Sequence, residues 1–143
     1  MTPRRRFDES RRRGLHAAAF LLAAFMLSGC TPKNSARGVV DRFIEAHYIA
    51  INLPQTEGLC TGLALDKIRQ EMQLTQGQSI DESTRKPVIH YKLQHQRDDR
   101  DHVTFLFKAR IDVPEGGSFN KFWMITARKD GETWKISNYS EYD

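Results

Sequence analysis

The sequence predicts an α+β domain with helices first and an antiparallel sheet second. Apolar residues recur every three or four positions up to about Leu74, then at every second position from Ile89 onward. That is the change from helical to strand periodicity. The alternating segments are separated by compact turn sequences at 97–101, Pro114-Glu115-Gly116-Gly117-Ser118 and Asp130-Gly131. Such short connections join antiparallel neighbours, whereas parallel neighbours need a long crossover. Helices packed on one side of the resulting sheet bury both apolar faces.

From the amino terminus, Arg4, Arg5, Arg6, Arg11, Arg12 and Arg13 stand against only Asp8 and Glu9, and an uncharged run rich in Ala, Leu and Phe extends from Leu15 to Leu27. Small residues Ser28 and Gly29 lead into Cys30. These are the three parts of a secretory signal, whose basic head stays cytoplasmic while the chain beyond is exported. Leu27-Ser28-Gly29-Cys30 resembles the lipobox of bacterial lipoproteins. The resemblance implies removal of residues 1–29, a diacylglyceryl group on Cys30, and a lipidated tether over 30–34. Two or three acyl chains then hold the protein to the membrane, each buried methylene contributing about 0.8 kcal/mol. The implied location is the cell envelope; in a Gram-negative source, Thr31 beside the cysteine points to the outer membrane, facing the periplasm. The alternative is an uncleaved transmembrane anchor, since residues 14–32 lack Asp, Glu, Lys and Arg and approach the roughly 20 residues a spanning helix needs. Against it, the apolar core is shorter and ends in Ser-Gly-Cys-Thr-Pro.

The chain carries 22 Lys and Arg against 18 Asp and Glu, but six and two of these precede Cys30, leaving 16 of each. A formally neutral mature chain gives no reason to expect a nucleic-acid partner. Cys60 is the one cysteine besides Cys30. A disulfide within the domain is therefore not expected, and Cys60 beside Leu59 reads as a buried thiol.

Residues 35–143 form the expected single domain. Ser35 is the expected N-cap, followed by Val39, Val40, Phe43, Ile44, His47, Tyr48 and Ile51 on one helical stripe ending near Leu53-Pro54. A short second helix spans Gln55 to Cys60, broken at Thr61-Gly62, and a third runs from about Leu63 to Leu74 with Leu65, Ile68 and Met72 inward. Thr75 to Pro87 is a polar loop. Strands then follow at Ile89-Tyr91-Leu93, at Val103 through Val113, around Trp123-Ile125-Ala127, and around Trp134-Ile136. An Asp130-Gly131 turn sets Ala127 opposite Trp134 and Ile125 opposite Ile136. Pairing Val113 with Phe119 sets Phe107 opposite Ile125, and a loop at Asp98-Asp99-Arg100 sets Leu93 opposite Phe105. Every hairpin then presents apolar residues to one face.

The helix Val39-Val40-Asp41-Arg42-Phe43-Ile44, these strands and the closing Trp134-Lys135-Ile136 resemble the nuclear transport factor 2-like superfamily, a curved four-stranded meander forming a cone around a long first helix; a cystatin-like arrangement is the close alternative. The resemblance implies a cone that can hold a small molecule, and members include isomerases and dehydratases. Here Phe43 stands where those enzymes carry a tyrosine, and no Asp precedes a proline-glycine turn. No catalytic residue and no cofactor is therefore assigned.

His47, Tyr91, Trp123 and Asn138 are expected on the inner face as candidates to line a cavity of mixed apolar and polar character, or simply to fill the core. Leu106, Phe122, Met124 and Tyr139 are expected on the outer face, with Lys108, Arg110 and Lys135 around them. An apolar patch with a charged rim suggests a protein contact, either a homodimer through the sheet face or an envelope protein partner. His90 and His95, five apart, fall on opposite faces of a regular strand, so no metal site is expected. The sequence thus supports a non-catalytic, lipid-anchored binding or scaffold module for a small apolar ligand or a partner protein. An isomerase or dehydratase using His47, Tyr48 or Tyr91 is the rival.

Overall fold

The computed structural model describes residues 32–76 and 86–143. The expected signal, Cys30 and most of the polar loop lie outside the described residues. Helix α1 spans Ala36–Ile44 and opens at Ser35, whose hydroxyl accepts from the Gly38 amide at 3.0 Å. Val39, Val40, Phe43 and Ile44 are buried along one stripe, as their spacing predicts. The helix then widens into a π-helical turn, Glu45–Ile49. Helix α2 spans Leu53–Glu57, with Pro54 in its first turn and Asn52 accepting from the Gln55 amide at 3.0 Å. It therefore starts earlier than the sequence predicts, because a proline needs no amide partner at a helix start. Helix α3 spans Gly62–Leu74 and buries Ala64 and Ile68.

Strands β1 (Val88–Asp98), β2 (His102–Val113), β3 (Gly117–Asp130) and β4 (Thr133–Tyr142) form one antiparallel sheet in the order β1-β2-β3-β4. The helices cover one face. Phe43, Ile44, Phe107, Trp123, Ile125 and Ile136 are each 0% exposed, and a fully buried side chain of this size contributes roughly 1.5–3 kcal/mol. Cys60 is buried, and its segment pairs with the β4 edge: Thr61 donates to the Ile136 carbonyl at 2.8 Å and Ile136 to that of Leu59 at 2.9 Å.

The α+β class, the strand order and the meander are as expected; the registers are not. Asp130 pairs with Thr133, so the turn residues are Gly131 and Glu132, and Ala127 faces Ile136 rather than Trp134. Gly131, at φ +62°, occupies the first central position, where mirror-image hairpin turns favour glycine. An extra residue at Ser137 then shifts β4 again, setting Ile125 opposite Tyr139. Across the next hairpin Val113 pairs with Gly117 and Phe107 with Trp123, a slip of two residues that preserves the faces. Glu115 at φ +64° and Gly117 at φ +84° close that tighter turn. In β1, Leu93 faces Phe107, and a bulge at Gln94 follows.

Candidate functional site

The π-helical turn carries consecutive residues His47 and Tyr48 into the interior. Such wide turns hold an extra residue and recur at functional sites. The Tyr48 ring stacks on Trp123 at 4.0 Å with a 3° interplanar angle. His47 packs edge-on against Tyr48 at 4.6 Å and Tyr139 at 5.1 Å, and stacks on Phe43 at 5.1 Å. Glu71 of α3 accepts from the Tyr139 hydroxyl and places its other oxygen 3.8 Å from His47 Nδ1. That separation is electrostatic contact without a hydrogen bond.

Burial holds the His47 pKa below its ordinary value, and the Glu71 charge only partly opposes this. The imidazole is accordingly neutral near pH 7. Burial, reinforced by Glu141, pushes the Tyr48 hydroxyl up; burial and then the bond to Glu71 do the same for Tyr139. Both phenols stay protonated. His47 Nδ1, the Tyr48 hydroxyl and Trp123 Nε1 are buried with no hydrogen-bond partner among the described residues. Three such atoms in one cluster are unusual, since buried polar groups are nearly always paired. The cluster joins a neutral base to two protonated phenols.

Of the expected cavity residues, the structure brings His47 and Trp123 together on the inner face, with Tyr91 tilted 6.0 Å from the Trp123 ring. Asn138 is not among them. The extra residue at Ser137 pairs Asn138 with Thr126 on the outer side, at the sheet edge where Lys67 reaches its Oδ1 at 3.0 Å. The same shift corrects Tyr139, expected outside: it is 6% exposed and belongs to the inner cluster. Glu71 was not singled out by sequence reasoning, although it continues the stripe of Ala64 and Ile68 at helical spacing, a carboxylate in an apolar row.

The outer face carries Leu106, Phe122 and Met124 as expected, and Tyr142 takes the place intended for Tyr139, stacking on Phe122 at 5.7 Å. Met124 is 39% and Tyr142 43% exposed. Toward the 114–116 turn this face becomes cationic. Lys92 lies directly opposite Lys108 and His90 opposite Arg110, and with Gln94 and Asn120 they line a shallow depression of about 230 Å³. Asp112 is the carboxylate beside them, held below its usual pKa by Ser118 and Arg110. The Gln94 bulge also corrects the histidine expectation, since it turns His95, opposite Leu106, to the same face as His90. Among the described residues no group of three or more His, Cys, Asp or Glu is placed to hold a metal ion.

No protein-family model and no curated protein matches the chain. Solved structures do. A Thiobacillus denitrificans protein named for the calcium/calmodulin-dependent protein kinase type II association domain superposes with a TM-score of 0.57 at 10% identity, covering 75% of this chain and 93% of that one. A protein named "Rd1NTF2_04 with long sheet" gives 0.49 at 16% identity, covering 76% and 100%. The intermembrane space region of the chloroplast protein ARC6 gives 0.40 at 15% identity, covering 77% and 98%. At such identities the likeness is one of fold. The chain is an α+β domain of nuclear transport factor 2-like fold, three helices packed on an open four-stranded antiparallel sheet.

Proposed function

We propose that this chain is a non-catalytic, lipid-anchored module of the cell envelope that binds an acidic partner protein through the outer face of its sheet. Acyl chains on Cys30 supply the tether, as the lipobox resemblance implies. The observation that carries the contact is the pairing of Lys92 with Lys108, with Arg110 next along the strand face, beside the half-buried Phe122 and the exposed Met124 and Tyr142. Like charges directly opposite on a sheet destabilise it. Their presence next to apolar surface fits a partner that brings carboxylates. In a two-fold homodimer each patch meets its own copy, which brings as many cations as it receives.

Photocrosslinking from Met124 in the full chain, in the envelope, tests this. The expected product is a cross-link to an acidic segment of another protein, lost in the Lys92→Glu/Lys108→Glu variant. A product that survives the double variant, or one joining two copies of this chain, overturns the reading. Replacing Cys30 by Ser is expected to release the protein from the membrane fraction; unchanged retention argues against the lipid anchor.

A second reading, a small polar ligand held in the cone, rests on the three buried atoms of His47, Tyr48 and Trp123 that lack partners. It expects ligand-induced changes in Trp123 fluorescence that Tyr48→Phe weakens. No change across a small-molecule panel would remove it.

A further inference from the structure

Where the chain enters the domain it runs along a groove of about 280 Å³, bounded by Lys33 and Asn34, Arg42 of α1, the 58–59 turn and the 133–135 start of β4. Three of its lining residues (Lys33, Arg42 and Lys135) are cations and none is acidic. The groove is built rather than incidental. Arg42 donates to the Gly38 carbonyl at 3.3 Å and to the Lys33 carbonyl at 3.2 Å, which leaves further guanidinium N–H groups free. Lys135 donates to the Gly58 carbonyl, and Lys129 sits 5.9 Å over the Trp134 ring. Lys33 makes no side-chain bond among the described residues. Gly38 lets the entering chain lie this close to α1, because a Cβ there would meet the Lys33 carbonyl oxygen at 2.9 Å and overlap that of Pro32.

Chain length decides what this groove faces. Lys33 is three residues beyond Cys30, and an extended chain spans at most about 3.6 Å per residue. Its Cα therefore lies within about 11 Å of the Cys30 Cα. A bilayer of about 40–45 Å with a core of about 30 Å leaves several ångströms of headgroups on each side. An acylated Cys30 holds the groove in or just above that layer. Trp with Lys and Arg is the combination that settles at membrane interfaces. The acidic turn 98–101 stands at the same end of the sheet but two strands away, with Asp99 paired to Arg97 at 3.1 Å and to His102 at 3.1 Å.

We infer that this groove binds the phosphodiester of an anionic phospholipid headgroup in the membrane to which the chain is tethered. This rests on the lipid-anchor reading above. Lys33, Arg42 and Lys135 meet the phosphate, and Trp134 packs on the glycerol backbone. The domain is thereby oriented on the bilayer rather than left to swing on its tether. The groove opens at the sheet end that carries the 131–132 turn, while the cationic depression of the outer face lies toward the 114–116 turn. Docking the groove thus leaves the depression free for a protein.

The test uses the purified full chain, with the mass of its Cys30 adduct measured first, reconstituted into vesicles of phosphatidylcholine alone or mixed with phosphatidylglycerol. Trp134 emission is quenched by a headgroup-labelled lipid, Trp123 being fully buried. Quenching is expected to rise about threefold with phosphatidylglycerol, and to fall to the phosphatidylcholine level in Lys33→Gln/Arg42→Gln/Lys135→Gln. The milder Lys33→Gln/Lys135→Gln, with an unchanged unfolding midpoint, guards against a folding defect. Equal quenching in both vesicles, or none of the loss in either variant, overturns the inference. Displacement by millimolar glycerol phosphate assigns the site to free phosphate and overturns the lipid source. A Cys30 without acyl mass refutes the anchor alone. The groove is then judged by sedimentation of the same chain with phosphatidylglycerol vesicles, where the triple variant is expected to bind about tenfold more weakly and unchanged binding overturns the inference.

Discussion

The two faces of this sheet are built from alternate residues of the same strands, yet they obey different physics. On the inner face Phe105 meets Ile125 and Phe107 meets Trp123, none more than 1% exposed. One residue along, Leu106 meets Met124 and Lys108 meets Phe122, with Met124 39% exposed and Lys108 also facing Lys92. The inner face is packed for burial, the unpaired polar atoms of His47, Tyr48 and Trp123 excepted. The outer face keeps like charges and apolar surface that a fold chosen for stability alone would lose. That difference separates residues that hold the domain together from residues free to meet something else.

The largest effect expected to sharpen the contrast is on the inner face. Trp123→Ala should destabilise the chain by about 3–5 kcal/mol in urea unfolding, a large share of a typical 5–15 kcal/mol. Met124→Ala, next along the strand, should change it by less than about 0.5 kcal/mol. Similar losses at both positions would erase the distinction.

Next comes the buried thiol. Burial pushes Cys60 up to about 12, so almost no thiolate exists near pH 8. Its labelling in the folded chain should be slowed more than about a hundredfold relative to the urea-unfolded chain. Comparable rates would place Cys60 at the surface.

His47 gives a smaller, pH-dependent effect. Its folded pKa is depressed below the ordinary 6.5, so unfolding takes up a proton as the medium acidifies. Its stabilising contribution is fully present above pH 6.5 and is lost as the pH falls through that value toward the depressed one. His47→Gln should flatten this part of the stability profile. An equally steep fall in the variant would assign the dependence to another group.

Much of this was legible in the sequence, and the rest was not for identifiable reasons. Periodicity gave the helices, the strands and the inward set from Val103 to Ala109, because burial of one face enforces alternation. Register escaped because the bulges at Gln94 and Ser137 carry no glycine or proline to mark them, and a one-residue shift reverses the faces. That exchange put Tyr139 inside and Asn138 at the edge, and it brought His90 and His95 to one side. Asp130-Gly131-Glu132 also admits two turns one residue apart. Net charge misled in another way. The sixteen cations and sixteen anions from residue 30 onward balance, yet the fold gathers Lys33, Arg42 and Lys135 into one groove and Lys92, Lys108 and Arg110 into one depression. Composition sees the sum, and only three dimensions show the separation.

The most direct test of the contrast between the faces is the unfolding free energy of Lys108→Glu, measured beside the Met124 cross-link in the same variant. Replacing one member of the Lys92–Lys108 pair by an opposite charge should raise stability by about 0.2–1 kcal/mol while weakening the cross-link. A fall in stability, or a cross-link that persists at full yield, would contradict the claim that these cations are kept for a partner at the expense of the fold.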